Sequence, residues 1–154
     1  MKKLRIYLDT SVFGGLFDEE FQEYIEPLFK RIENDEFVVI FSNITKDELY
    51  SAPQNVRQKA EALALKSTEF VKSDLESVTL AKRYIEEGVV DKTSYADCLH
   101  IALATIYNAN ILVSWNFKHI VNVVRIIGYN SVNLVEGYKQ LDIRSPRELL
   151  SNED

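Results

Sequence analysis

Apolar and polar positions along the 154-residue chain fall into two patterns that take turns. Leu4-Arg5-Ile6-Tyr7-Leu8 starts by alternating and becomes almost wholly apolar before Asp9-Thr10-Ser11. This predicts a buried strand with an acid and two hydroxyls at its carboxyl end. Phe21, Tyr24, Ile25, Leu28, Phe29 and Ile32 then recur at helical spacing, with Pro27 expected near the start of the regular part. Phe37-Val38-Val39-Ile40-Phe41-Ser42 is continuous and β-branched, as in a strand covered on both faces. Ser42-Asn43-Ile44-Thr45 is rich in capping residues and leads into Asp47-Glu48-Leu49-Tyr50. Pro53 opens a helix with Val56, Ala60, Leu63 and Ala64 on one side.

A short strand follows at 69–72, and Asp74 caps a helix with Leu75, Val78, Leu80, Ala81, Tyr84 and Ile85 facing inward, ending at Gly88. Ser94 starts a helix that is apolar over most of its surface through Ile106, so it is expected at the centre of the fold. Ile111-Leu112-Val113-Ser114-Trp115 reads as another buried strand, ended by Asn116. One more helix around 121–127 and a short strand at 141–143 complete the pattern, and the polar tail 151–154 is expected to fray. Strands alternating with helices imply one α/β domain over 1–150, with a mainly parallel sheet flanked by helices.

Composition narrows the class. Hydrophobic residues make up 46% and charged residues 27%, as in a folded protein and unlike a disordered one. The single cysteine, Cys98, cannot form an internal disulfide, which points to a reducing, cytoplasmic setting. The basic Lys2-Lys3 start is followed by an apolar run that stops at Asp9, too early for a secretory leader, and no stretch is long enough to span a membrane. A net charge of -6 argues against a protein that coats nucleic acid by bulk charge.

Parallel sheets collect chemistry beyond the carboxyl ends of their strands. Asp9 and Asn116 end two strands there, Glu48 follows the second strand by a short turn, and Asp97 lies in the first turn of the apolar helix. Each acid has a bland alternative: an Asx turn for Asp9, and capping boxes for Thr45-x-x-Glu48 and Ser94-x-x-Asp97. Converging carboxylates repel and call for a cation or proton, and oxygen ligands alone favour Mg²⁺ or Mn²⁺.

Four stretches, in this order and spacing, resemble the PIN domain family, many of whose members are metal-dependent ribonucleases, including VapC-type toxins of toxin–antitoxin pairs. They are Ile6-Tyr7-Leu8-Asp9-Thr10-Ser11-Val12, Thr45-Lys46-Asp47-Glu48-Leu49, the segment from Ala96-Asp97-Cys98 to Ala104, and Leu112-Val113-Ser114-Trp115-Asn116-Phe117-Lys118-His119-Ile120. The resemblance implies that Asp9, Glu48 and Asp97 bind the metal and that Thr10 or Ser11 supports the site by hydrogen bonding. Asn116 stands where the family commonly has a fourth acid; it removes one charge and should weaken a second metal. The implied partners are an RNA substrate and an antitoxin protein. The implied reaction is metal-assisted phosphodiester hydrolysis, and the rival reading is a PIN-like module that binds RNA or protein without cutting.

Other candidates are weaker. His100 lies three residues after Asp97, but two histidines and one cysteine make no zinc spacing, so a helix-core or supporting role is expected. Lys118 and His119 are candidates for phosphate contact, with Lys46 and Arg144 behind them. Tyr7, Phe13 and Trp115 are expected in the core rather than stacked on bases. Asp9 as a phosphate-accepting nucleophile lacks the usual second acid, since position 11 is Ser. Phe13, Leu16 and Phe17 near the site leave open both core packing and a homodimer or antitoxin contact.

Overall fold

The computed structural model describes residues 2–64 and 68–151. β1 (Leu4–Leu8) is followed by α1 (Thr10–Gly15) and α2 (Gln22–Glu33), then β2 (Phe37–Ser42), α3 (Asn43–Leu49), α4 (Gln54–Ala64) and β3 (Thr68–Val71). α5 (Leu75–Glu86) and α6 (Tyr95–Ile106) lead into β4 (Ile111–Val113), α7 (Val123–Val135), β5 (Asp142–Arg144) and α8 (Pro146–Ser151). A 3-10 turn at Lys92–Ser94 joins α5 to α6.

The five strands form one sheet in the order β3-β2-β1-β4-β5, and every pairing is parallel. The α/β architecture and the parallel sheet read from the sequence are therefore present. β1 lies in the middle because its residues can be buried on both faces: Ile6 and Leu8 join one apolar layer and Tyr7 the other. Ile6 and Leu8 pack with α1, α2 and α4 through Phe13, Ile25, Leu28 and Ala60. Tyr7 packs with α5, α6 and α7 through Leu80, Tyr84, Ile101 and Tyr129. From β1 the chain builds outward through β2 to β3, then returns to the other side of β1 for β4 and β5. The switch point lies between β1 and β4, where a crevice opens above the strand ends.

Several local expectations are corrected. α1 begins directly after Asp9, and α8 follows β5; neither short helix was expected, because six residues hold too few apolar positions to show a period. Pro27 lies well inside α2, on its exposed side, where the lost backbone bond opens to water. Leu75 opens α5 but is 82% exposed rather than inward. β4 ends at Val113, before Ser114 and Trp115, although Ser114 N–H still donates to the Arg144 carbonyl at 3.0 Å. α7 starts at Val123, where the Asn122 side chain accepts from Arg125 N–H, and runs on to Val135, well past the expected end, with Tyr129, Val132 and Asn133 buried along its second half. The expected frayed tail at 151–154 lies outside the described residues, apart from the helical backbone of Ser151. Among the described residues no helix is long and apolar enough to cross a membrane.

Behind the sheet, a buried polar chain locks α5, α6 and α7 together. Tyr84 donates to Asn133 Oδ1 at 2.5 Å, and Asn133 Nδ2 donates to Thr105 Oγ1 at 3.2 Å. Removing one hydroxyl strands a buried acceptor, which costs about 1–3 kcal/mol. Tyr84→Phe should lower unfolding stability in urea by about that amount with an unchanged m-value. A loss under about 0.5 kcal/mol would show that this chain carries no stability.

Candidate active site

Register brings the first acid to its partners. Leu8 pairs with Val113, and Asp9 N–H donates to the Val113 carbonyl at 3.3 Å, so Asp9 and Ser114 leave the sheet side by side. The Asp9 carboxylate is 4% exposed and has a hydroxyl on each oxygen: Ser11 Oγ donates to Oδ1 at 2.6 Å and Ser114 Oγ to Oδ2 at 2.7 Å. Those hydroxyls are themselves held from behind, Ser11 Oγ by Trp115 N–H and Ser114 Oγ by Asn116 N–H, both at 2.9 Å. Asp9 thus sits in a frame that fixes its rotamer.

None of the three acids performs the capping role that would explain it away. Asp9 precedes α1 but its side chain makes no cap hydrogen bond. α3 is capped by Ser42, which accepts from Thr45 N–H, so Thr45 is buried inside the helix and Glu48 lies near its far end. α6 begins after Ser94 without a side-chain cap bond, and Asp97 stands free of that duty.

Glu48 projects from α3 and is half-exposed. Its Oε1 accepts from Thr10 Oγ1 at 3.0 Å and from His100 Nε2 at 2.5 Å. Thr10 therefore supports Glu48, while Ser11 supports Asp9. An ionised Glu48 can only accept, so Nε2–H of His100 is the donor. The other ring nitrogen, Nδ1, shares a hydrogen bond with the Tyr7 hydroxyl at 2.6 Å, and Tyr7 shares another with Ser42 Oγ at 2.7 Å. His100 is buried, as expected for a supporting histidine, and Tyr7 is fully buried. Burial raises the Tyr7 hydroxyl well above its ordinary range, against the opposing bonds from Ser42 and Thr45, so it stays a donor.

Electrostatics tie the acids together. Burial raises the Asp9 pKa; His100 and the two serine hydroxyls oppose this, and the charge of Asp97 adds to it. Asp97, half-buried at the start of α6, is raised first by burial and also by Glu48, while His100, His119 and a hydrogen bond from Asn116 pull it down. For Glu48 the burial effect is largest, but the His100 hydrogen bond and charge together with Thr10 outweigh it, and its pKa falls. Asp97 feels Glu48 on one side and acts on Asp9 on the other, so the three belong to one electrostatic cluster.

The remaining sequence candidates separate. Asn116 follows β4 as expected, but its Oδ1 accepts the His119 N–H at 3.0 Å, which turns its amide group toward Asp97. Lys118 is exposed on the same turn. His119 is half-buried, its Nδ1 is shut away without a hydrogen-bond partner among the described residues, and its carbonyl accepts from Tyr129. Arg144 pairs with Asp142 at 3.1 Å, and Lys46 faces an apolar hollow beside α4. Phe13 is fully buried and Leu16 nearly so, and Trp115 stacks on Phe21 with ring centroids 4.3 Å apart, so these are core residues. Ser114 was missed by sequence reasoning; its signal was a lone hydroxyl at the end of an apolar strand, opposite Asp9.

Among the described residues no group of three or more His, Cys, Asp and Glu side chains is arranged to hold a metal ion. The arrangement instead offers two electrostatically coupled, like-charged carboxylates, Asp97 and the serine-framed Asp9, with Glu48 held by His100.

In a comparison with protein families, residues 6–118 match the PIN domain. A comparison with curated proteins finds no match. Among solved structures, the fold is similar to VapBC2 from Rickettsia felis bound to a DNA fragment from its promoter, at a TM-score of 0.56 and 17% identity. That match covers 92% of this chain and 98% of the other. Tryptophanyl-tRNA synthetase from Campylobacter jejuni is similar at a TM-score of 0.51 and 10% identity, over 92% of this chain and 54% of the synthetase chain. At these identities the likeness is one of fold.

The raised Asp97 pKa has a testable sign. Its folded value lies above the ordinary 3.8, so the ionised side chain opposes folding at neutral pH, and that opposition fades as pH falls through the folded value toward 3.8. In EDTA, Asp97→Asn should raise the melting temperature at pH 7, and the gain should shrink steadily on acidification. A variant that melts lower than wild type at pH 7 contradicts this account of the site.

Proposed function

Because the chain belongs to the PIN domain family, we propose that it is a divalent-metal-dependent ribonuclease and the toxin half of a toxin–antitoxin pair. The observation that carries this reading is the cluster of Asp9, Glu48 and Asp97 at the carboxyl edge of the sheet, with none of the three spent on helix capping. The likeness to VapBC2 agrees with an antitoxin partner.

The donor set fits Mg²⁺ or Mn²⁺. Such an ion keeps several waters and takes one or two carboxylates plus substrate phosphate, so a closed protein cage is not required. Asp9 and Asp97 would hold it: both are oxygen donors whose mutual repulsion a cation relieves. When bound, the ion lowers the pKa of a water and screens the charge of the scissile phosphate.

The side chains divide the remaining work. Ser11 and Ser114 hold the Asp9 carboxylate in one orientation, which limits the rearrangement needed on ligand binding. His100, braced by Tyr7 and Ser42, positions Glu48 at the rim, where its free oxygen is available to accept a proton from water. Asn116 orients Asp97 through its amide, and Lys118 on the same exposed turn is placed to meet an RNA phosphate. The second reading, binding without cutting, is favoured by one feature: the side-chain oxygen of Asn116 is engaged by His119 N–H and carries no charge.

A panel of structured and single-stranded RNAs incubated with Mg²⁺ or Mn²⁺ decides between them. Wild type should cleave in a metal-dependent way, and Asp9→Asn and Asp97→Asn should each lose on the order of 100-fold or more. RNA bound equally well by all three proteins, with no cleavage, would establish the binding module instead.

Asn116→Asp supplies the missing charge. Calorimetric titration should show Mn²⁺ affinity rising on the order of tenfold. An unchanged affinity would mean that position 116 does not feel the ion.

A further inference from the structure

Trp115, Phe21 and Tyr24 form an aromatic floor beside the acid cluster, and Phe117 stands on it with one side open to water. The floor is tightly set: Trp115 stacks on Phe21 with planes 19° from parallel, and Tyr24 leans on the indole with centroids 6.1 Å apart. Phe117 lies against the same indole at 5.9 Å, tilted by 59°, yet it is 49% exposed. We propose that Phe117 is a base-stacking residue of the site: its open side takes an unpaired RNA base next to the phosphate bound near Asp9 and Asp97. This role rests on the ribonuclease reading and adds to it the residue that selects the strandedness of the substrate.

Phe117 is tied to both of those acids through its neighbours. Trp115 N–H donates to Ser11 Oγ at 2.9 Å, and Ser11 Oγ donates to Asp9, so one hydroxyl steadies both the floor and the first acid. Asn116, the residue before Phe117, hydrogen-bonds Asp97 through its side chain. Lys118, the residue after it, is exposed on the same turn, where a phosphate adjoining the stacked base would meet it.

The turn is built before any ligand arrives. Ile120 and Val121 N–H both donate to the Asn116 carbonyl, at 3.1 and 2.8 Å, and His119 N–H donates to the Asn116 side chain at 3.0 Å. Tyr129 holds the His119 carbonyl from below at 2.8 Å. A ring presented on so constrained a turn loses little freedom on stacking, and affinity gains accordingly.

Charge explains the need for such a contact. A chain of net charge -6 does not hold RNA by bulk electrostatics. Stacking supplies affinity without charge, and every base offers a π-face whatever its identity. In a duplex both faces of a base are covered by its neighbours, so the ring reaches only loops, bulges and unpaired strands. A single exposed phenylalanine is ordinary in itself. Phe70 is as exposed, at 50%, but lies on β3, two strands out from β1, and serves as the matched control.

Fluorescence anisotropy of a short dye-labelled RNA of mixed sequence, single-stranded or fully paired, tests the role with Ca²⁺ in place of Mg²⁺ to separate binding from cleavage. Phe117→Leu keeps the apolar bulk without the ring and should weaken single-strand binding on the order of tenfold. Phe117→Tyr keeps the ring and should bind as wild type does, as should Phe70→Ala. Duplex binding should be the same for all four proteins. A leucine variant equal to wild type on single strands, a tyrosine variant as weak as leucine, a Phe70→Ala loss of the same size, or an equal loss on duplex each overturns the stacking role. Wild type that binds neither RNA overturns the ribonuclease reading with it. Wild type that binds and, in Mg²⁺, cleaves, with Phe117→Leu its equal in both, overturns the stacking role alone.

Discussion

Burial of the Asp9 carboxylate at the crossing of β1 and β4 is the constraint on which the rest of the site depends. A carboxylate with almost no access to water needs a donor on each oxygen, and the protein supplies Ser11 and Ser114. Ser114 can do this only because Leu8 pairs with Val113, which sets the two strand ends level. A slip of one residue would turn Tyr7 into the opposite layer and pull Ser114 away from Asp9 at once. The apolar pattern that fixes register is therefore also what builds the site.

The second acid is held by different means. Glu48 is half-exposed, yet it is tied through His100 and Tyr7 to Ser42 at the start of α3. Ser42 caps the helix from which Glu48 projects, so the start of α3 and the orientation of its acid are linked by one hydroxyl. Tyr7 faces the layer opposite to Ile6 and Leu8, and this single inward polar tip carries the connection across the sheet. Around Asp97 the balance is less settled: burial and a neighbouring acid oppose its charge, while two histidines and Asn116 favour it. That residual cost is what sites built for ligands commonly retain.

Much of this was legible before the fold was known. Alternating patterns gave the strand–helix order, and strand ends in a parallel sheet directed attention to Asp9, Glu48, Asp97 and Asn116. The misses share one cause. α1 and α8 have too few residues to display a helical period, and Leu75 looks inward only when its helix is viewed without its neighbours. The capping-box pattern at Thr45 and Glu48 was outcompeted by Ser42, which lies at the strand end and reaches Thr45 N–H first.

By itself, the sequence determined the α/β class, the burial of β1, β2 and α6, and which acids stand near strand ends, because periodicity and residue type are local properties. Tertiary structure alone decided which hydroxyl serves which acid, that His100 joins Tyr7 to Glu48, and that the Asn116 oxygen faces His119. It also decided that one apolar face of α7 is left uncovered. Those outcomes depend on which residues, distant in the chain, meet at a given register, and register is settled by packing the sheet as a whole.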